Sequence, residues 1–413
     1  MPRSRWPGLA QPVPHVRVSA GRRRGRSALR DNGVAWLIPG VSMMTRGAVL
    51  REVPGRFEVV ELELDDPRPG ELRVRMVASG LCHSDDHHAT GDLKVGRLPF
   101  AGGHEGAGVV DAVGPGTTGF AEGDHVVFTF LPVCGRCRWC AHGMQNLCDL
   151  GASLATGARW EDPTSFRLSL DGEPVAQMAG ISTFCEYTTV STSSAVKVPS
   201  DIPLEVACLT GCGVGTGWGA AVNSAEVRPG DVVIVMGVGG IGMNAVQGAA
   251  HAGAAVVIAV DPVEFKRTSA LTFGATHAVA DIKEAAELAR SMTNGQGADS
   301  CIVCPGVITG KHVGQGVRAV RKAGTCVAVG VGDVRTGDGD IPLAELVLFQ
   351  KRLQGSLFGA SAPTADIPAQ LELYRRGILK LDELVTRRYT LDEVAQGFDD
   401  MHAGRNIRGV VVY

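Results

Sequence analysis

Cys134, Cys137, Cys140 and Cys148 run as Cys-x2-Cys-x2-Cys-x7-Cys through a loop-like segment broken by Gly135 and Gly143. Four thiolates so spaced can close a tetrahedral shell around zinc and leave no coordination position for water, which marks a structural site. Three further ligand candidates stand apart: Cys82 in GLCHSDDHH, His104 in GGHEGAG and Cys212 in TGCGVG. Spacing alone does not assemble them, and a single buried cysteine is more often inert core. Their chemistry argues the other way, because two thiolates and an imidazole leave a fourth position open for alcohol or water, the arrangement of a catalytic zinc.

A third constellation is made of glycine. Gly237, Gly239, Gly240 and Gly242 spell GVGGIG between the apolar run VVIVM and the helical segment IGMNAVQGAAHAG. In such a loop the first glycine allows a tight turn and the second lets backbone approach a pyrophosphate. The last lets helix and strand pack closely, with the phosphate on the helix N-terminus. Asp261 ends the next apolar run, 19 residues after Gly242. A carboxylate there accepts hydrogen bonds from the adenosine ribose hydroxyls and repels a 2'-phosphate, so the pattern predicts NAD rather than NADP.

These groups need elements to hold them. From Thr45 to about Val198 the chain reads as short strands punctuated by glycine, among them ELRVRMVASG, GAGVVDAVG, GDHVVFTF and CEYTTV. An irregular, mostly β domain is expected. From about Gly230 the rhythm becomes strand, helix, strand: DVVIVMG, IGMNAVQGAAHAG, AVVIAVD, and later ADSCIVC and GTCVAVGV. That alternation predicts parallel βαβ units with helices on both faces. Helical ADIPAQLELYRRG and LDEVAQGFDDMHAG lead to a last apolar strand, IRGVVVY, which is expected to return to the first domain. The division anticipated is 43–213 for the first domain, with the four-cysteine lobe at about 130–150, then 214–357 for nucleotide binding and 358–413 for the return.

At 413 residues the chain exceeds one typical domain, and its 45% hydrophobic and 20% charged residues are those of an ordinary soluble protein. A net charge of -3 offers no footprint for nucleic acid or an anionic membrane. No apolar run reaches the roughly 20 residues that span a bilayer. Small-molecule chemistry remains by elimination. Of the eleven cysteines, four fall in one short cluster and two more sit beside His and acidic residues as metal sites require, which fits a reducing cytoplasm better than a disulfide framework does. Residues 1–42 differ, being rich in arginine and free of acids before Asp31. Arg22 to Arg24 faintly suggest an export signal, but Arg30 and Asp31 interrupt the apolar segment it would need. They are expected to be an extension outside the fold, or to precede a true start at Met43 or Met44.

From Thr45 to Tyr413 the sequence resembles the zinc-dependent alcohol dehydrogenases of the medium-chain dehydrogenase/reductase family. The resemblance lies in GLCHSDDHH, GGHEGAGVV, the four-cysteine lobe, TGCGVGTGWG, GVGGIG, VDPVEFKR and NIRGVV, in that order. It implies an α/β protein with a GroES-like, mostly β catalytic domain and a Rossmann cofactor domain. Also implied are two zinc ions per subunit, NAD(H), a homo-oligomer, and hydride transfer between the cofactor and a primary or secondary alcohol or its aldehyde. Cys82, His104 and Cys212 would then hold the catalytic zinc, with Asp85 orienting His104 and Glu105 behind the metal. Ser84 and His87 match a proton relay that ends at an imidazole on the surface. His83 and Arg408 match pyrophosphate contacts, and Lys266 a group near the adenosine ribose. Leu93, Phe130, Val331 and Leu357 match positions lining the substrate or nicotinamide pocket.

Finer features, GASLATGARWEDPTSFRL, VEFKR and NIRGVVVY, are similar to nicotinoprotein alcohol dehydrogenases, in which NAD(H) stays bound and an external acceptor such as N,N-dimethyl-4-nitrosoaniline re-oxidises it. Two other readings compete. A thiol-dependent formaldehyde dehydrogenase on the same scaffold is disfavoured because the glutathione-dependent members carry an acid where Leu93 stands. A non-catalytic relative would be expected to have lost a ligand, and here all the positions are intact. Cys301 and Cys304, on the apolar run ADSCIVC, read as core, as do Cys185, Cys208 and Cys326, while His125, His142, His251, His277 and His402 show no partner pattern.

Overall fold

The apolar runs Val232–Met236, Val256–Val260 and Ala298–Val303 are buried almost throughout, as strands covered on both faces must be. In the computed structural model, which describes residues 43–333 and 339–413, they lie at the centre of a six-stranded sheet. Its order is His277–Val279, Val256–Val260, Val232–Met236, Ala298–Val303, Val320–Ala328 and Arg352–Gly355, parallel throughout. The chain winds outward from Val232–Met236 in one direction and then from Ala298–Val303 in the other. That reversal opens a crevice at the carboxyl ends of the two strands, where ligands of doubly wound sheets bind. The extension 1–42 lies outside the described residues.

The preceding half is β-rich. A closed barrel is formed by Met43–Leu50, Glu58–Leu64, Leu168–Leu170, Glu173–Gln177 and Phe100–Ala101. Beside it a seven-stranded sheet is organised on Glu71–Gly80, which pairs with Glu105–Val113, Tyr187–Ser191 and the last strand, Arg408–Val412. Register decides what meets what: Gly80 stands opposite both Glu105 and Val410. The loops that carry Cys82 and His104, and Arg408 at the start of the last strand, are thereby delivered to one end of the sheet. A continuous core, including Ala107, Val127, Leu209, Val214, Trp218, Met243 and Val246, joins the β-rich half to the parallel sheet. Helix Gly213–Gly219, GVGTGWG, has small residues at alternate positions and packs closely on helix Gly240–His251. Among the described residues no helix is long and apolar enough to cross a membrane.

The segment after the four-cysteine lobe is pinned by a buried ion cluster. Glu71 accepts from Arg167 Nε at 2.7 Å and Arg159 Nε at 2.9 Å, and Arg159 also reaches Asp65 at 3.2 Å. Burial raises the Glu71 pKa, but Arg167 and Arg159 more than offset it and hold the carboxyl below its ordinary value. Removing one partner of such a cluster leaves charge buried and unpaired. Glu71→Gln is therefore expected to destabilise the fold by about 3–5 kcal/mol near neutral pH. Because the folded pKa is depressed, this stabilisation is present above the unfolded carboxylate value of about 4.3 and is lost as pH falls through the folded value. Chemical unfolding followed from neutral to acid pH should show the variant losing less stability than the parent chain.

Candidate active site

Cys82 occupies the N-cap of helix His83–Thr90 in extended conformation (φ -128°, ψ 151°), and Cys212 occupies the N-cap of helix Gly213–Gly219. His104 precedes strand Glu105–Val113. Cys82, His104, Glu105 and Cys212 each present one ligand atom, all within 4.8 Å of one another and all buried. Asp85 sets the geometry from the first turn of its helix. Its carboxylate faces Nδ1 of His104 at 3.2 Å and accepts from the N–H groups of Gly103 (2.9 Å) and Cys82 (3.2 Å). The other imidazole nitrogen, Nε2, is buried without a hydrogen-bond partner. An unpaired imidazole nitrogen beside two sulfurs is the donor set that zinc prefers, with the carboxylate fixing the ring as expected around a metal ligand.

Charge in this cluster is balanced by Arg408. Its guanidinium, also buried, pairs with Glu105, whose other oxygen accepts from the Gly213 N–H at 3.1 Å. Burial nevertheless pushes the Glu105 carboxyl up to about 7, against the pull of Arg408. A hydrogen bond from Cys212 drives the Cys82 pKa well down against the cost of burial, assisted by His104 and Arg408.

The four-cysteine lobe is equally well assembled. Cys134, Cys137, Cys140 and Cys148 bring their sulfurs within 4.8 Å of one another. Backbone N–H groups donate to them: Cys137 to the Cys134 sulfur (3.2 Å), Cys134 to that of Cys148 (3.3 Å) and Cys140 to that of Cys137 (3.5 Å). The amides of Cys140 and Asp149 bring the Cys137 thiol down to about 6. Peptide donors aimed at sulfur stabilise thiolates, the form that binds zinc.

Between the cluster and the parallel sheet lies a cleft of about 410 Å³. Gly237, Gly239, Gly240, Asp261, Lys266 and Val331 line it from the sheet side, and His83, Ser84, His87 and Arg408 from the other. Gly237 has a left-handed φ of 86°, and a Cβ on Gly242 would lie 1.9 Å from the Gly237 carbonyl oxygen, so both positions need glycine. The Asp261 carboxylate accepts from the N–H groups of Val238 (3.0 Å) and Val263 (2.9 Å), tying the glycine loop to the end of the next strand. Arg408 Nε is buried with no partner, a donor available to an anion in the cleft. A dinucleotide fits this donor set.

The structure alters some expectations. His87 is not at the surface but 1% exposed, with Nδ1 on Asp92 and Nε2 on the Gly306 carbonyl oxygen, both at 3.0 Å. The turn that closes its helix folds the following loop over it. Of the four apolar pocket positions, Val331 alone lines the cleft. Phe130 lies edge-on to His104, with ring centroids 5.7 Å apart, and packs on Phe358. Leu93 donates its N–H to the His87 carbonyl, and Leu357 is 48% exposed with its carbonyl held by Asn146. Cys301 and Cys304 are both core as expected, and Cys304, past the end of its strand, also borders the cleft with Pro305 and Gly306. The strand's place at the reversal of the sheet is the signal that marks those residues. His402 has a partner after all, Asp86 at 2.8 Å.

Residues 68–200 match the family model of the alcohol dehydrogenase GroES-like domain, and residues 240–376 that of the zinc-binding dehydrogenases. The chain is 48% identical over 371 residues to the NDMA-dependent alcohol dehydrogenase of Amycolatopsis methanolica, covering 90% of this chain and 99% of that protein. Alcohol dehydrogenase B of Mycobacterium tuberculosis is 47% identical over the same shares. A crystal structure of an alcohol dehydrogenase zinc-binding domain protein from Burkholderia ambifaria superposes with a TM-score of 0.84 at 34% identity, covering 90% of this chain and 99% of that one. The chain belongs to the zinc-dependent alcohol dehydrogenases of the medium-chain dehydrogenase/reductase family. It is an oxidoreductase with the fold, the zinc and the nicotinamide cofactor of that family.

The two clusters should respond differently to the same change. Cys148→Ser is expected to lower the melting temperature markedly, since a closed zinc site contributes folding energy directly. Cys212→Ser should leave the melting temperature nearly unchanged and abolish turnover. Zinc content, thermal unfolding and alcohol oxidation measured on both variants check this.

Proposed function

We propose that this enzyme oxidises a small primary or secondary alcohol, or reduces its aldehyde, with NAD(H) that stays bound between turnovers and is re-oxidised by an external acceptor. The carrying observation is the cleft itself, which is lined by Cys82 of the Cys82–His104–Cys212 cluster together with the glycine loop and Asp261. Similarity to an NDMA-dependent alcohol dehydrogenase over nearly the whole length supports retention of the cofactor.

When bound, zinc on Cys82, His104 and Cys212 supplies Lewis acidity that lowers the pKa of an alcohol, and NAD supplies the hydride acceptor. The chain's own groups do the rest. Asp85 fixes the His104 ring. Glu105 and Arg408 set the charge behind the cluster, and Phe130 with Phe358 shields it from water. Ser84 and His87 lie on one face of their helix, three residues apart, and both line the cleft. Ser84 takes the proton released by the alcohol and His87 receives it. His83, Lys266 and the free Nε of Arg408 hold the anionic and ribose parts of the cofactor. Leu93 offers no charge to a glutathione adduct.

The edge strand Arg352–Gly355 is exposed along its whole length, next to helix Leu343–Leu348, where Val347 and Leu348 are 76% and 77% exposed. An uncovered sheet edge beside exposed apolar side chains invites pairing with a second copy, and we assign a homo-oligomer contact to it. Leu348→Lys should shift the protein to a smaller species in light scattering. All eleven cysteines are free, which supports a reducing cytoplasm as the working compartment.

Cofactor retention is tested by purifying the chain without added nucleotide, denaturing it and quantifying the reduced nicotinamide released. About one NADH per subunit is expected, with turnover that needs an artificial acceptor but no added NAD. Empty protein whose activity saturates with free NAD would make it an ordinary NAD-exchanging alcohol dehydrogenase.

A further inference from the structure

The segment that follows the edge strand Arg352–Gly355 turns in a conformation that most side chains avoid. Phe358, Gly359 and Ala360 are all left-handed, with φ of 51°, 65° and 51°, and only the middle one is glycine. Strain of this kind persists where the surroundings enforce it, and it gathers at functional sites. Helix Gly213–Gly219, which Cys212 caps, enforces part of it: a Cβ on Gly359 would lie 2.3 Å from the Gly215 carbonyl oxygen, and one on Gly215 would lie 2.9 Å from the Phe358 ring. Asn223 Nδ2 donates to the Gly359 carbonyl at 3.0 Å. A further hold comes from the four-cysteine lobe. Asn146, two residues before Cys148, is buried, and its Nδ2 donates at 2.9 Å to the Leu357 carbonyl. The same carbonyl accepts the Ala360 N–H at 3.0 Å, the bond that closes the turn. Gln145, beside Asn146, grips a different point: its carbonyl accepts from the Thr364 N–H at 3.2 Å and hydroxyl at 2.8 Å, at the start of helix Pro363–Arg375.

What the turn carries is Phe358. Its ring is 2% exposed and packs on Phe130 with centroids 5.0 Å apart, and Phe130 in turn stands edge-on to His104 at 5.7 Å. One hydrogen bond from the lobe is thus linked, through a strained turn and two rings, to the imidazole of the catalytic cluster. An alcohol whose oxygen is held beside His104 has Phe130 as a neighbour of its carbon chain. We infer that Asn146 is a positioning residue for the alcohol: by holding the Leu357 carbonyl it keeps the left-handed turn in place, and the turn keeps Phe358 and Phe130 where they align the reacting carbon of a small alcohol and limit the size of alcohol accepted. The inference rests on the alcohol oxidation proposed above. Without the Asn146 donor the turn relaxes toward ordinary backbone, Phe358 draws back from Phe130, and the aromatic wall beside His104 loosens. A short alcohol, which depends on the wall for its alignment, loses most. An alcohol bulky enough to fill the added space regains the contact. The four-cysteine lobe thereby acts on substrate choice through one amide, in addition to whatever stability its own shell contributes.

The test compares Asn146→Leu and Asn146→Ser, which remove the amide donor with a side chain of similar and of smaller size, with Gln145→Ala, which removes only the contact to Thr364. Single-turnover oxidation of ethanol, octanol and benzyl alcohol is followed as NADH formed at saturating nucleotide, with zinc content and thermal unfolding measured alongside. The Asn146 variants are expected to keep the parental zinc content and melting temperature. Their maximal rate with ethanol should fall about 10-fold through lost alignment, while octanol and benzyl alcohol lose less than about 2-fold. Gln145→Ala should match the parent with every alcohol. Phe358→Leu should show the same shift as the Asn146 variants, and Asn146→Leu combined with it should lose about 10-fold rather than about 100-fold, since residues that act through one another are not additive. A parental alcohol profile in both Asn146 variants would overturn the inference. So would an equal loss with every alcohol, or a loss that in both variants comes with zinc release or a lower melting temperature, because Asn146 would then be a structural support only. A matching shift in Gln145→Ala would assign the effect to docking of the lobe as a whole, and an additive double variant would refute the route through Phe358. Parent protein that oxidises none of these alcohols would instead remove the reading on which the inference rests.

Discussion

Two thiols, an imidazole and a carboxylate crowded within 4.8 Å in a buried site are tolerable only if positive charge is supplied to them. The chain supplies part of it through Arg408, and the remainder matches a metal cation. Arg408 is the first residue of the last strand, and that strand pairs with Glu71–Gly80 at the end where Cys82 and Glu105 emerge. The same guanidinium reaches the cleft, where a Cβ on Gly240 would lie 2.3 Å from its Cδ. One buried side chain therefore ties the metal cluster, the dinucleotide loop and the C-terminal strand together. The register of a single sheet decides whether the cleft exists.

Much of this architecture is legible in the sequence because it rests on local pattern. ELRVRMVASG coincides with strand Glu71–Gly80, and IGMNAVQGAAHAG falls on helix Gly240–His251. The glycine loop between strand and helix, and Asp261 after the next strand, are fixed by backbone geometry that few other residues satisfy. The four cysteines of the lobe lie close enough in the chain to be read as one group. Cys82, His104 and Cys212 are different. Sheet pairing brings Cys82 and His104 together and Cys212 joins them from a helix N-cap more than a hundred residues further on, and no spacing rule encodes that, so the resemblance to a known family had to supply it.

What the sequence did not disclose depends on how loops close. The burial of His87 follows from the left-handed turn at Gly91, and the partnership of His402 with Asp86 joins helices 316 residues apart. Cys304 is a core residue that also borders the cleft, because the sheet reverses its winding beside that strand. The ion cluster of Glu71 with Arg159 and Arg167 is likewise invisible in the charge pattern, since its members are 88 and 96 residues apart. In each case the decisive term is tertiary: which side chain the fold leaves without water, and which partner it then provides.

Diffraction from crystals of the full chain on either side of the zinc absorption edge tests the central claim most directly, that this fold builds two distinct zinc sites and couples one of them to the dinucleotide cleft. Two anomalous peaks are predicted, one among Cys134, Cys137, Cys140 and Cys148, and one bounded by Cys82, His104 and Cys212 with an open side toward the cleft. A peak in the four-cysteine lobe alone, with no metal beside His104 in zinc-replete protein, would contradict the account.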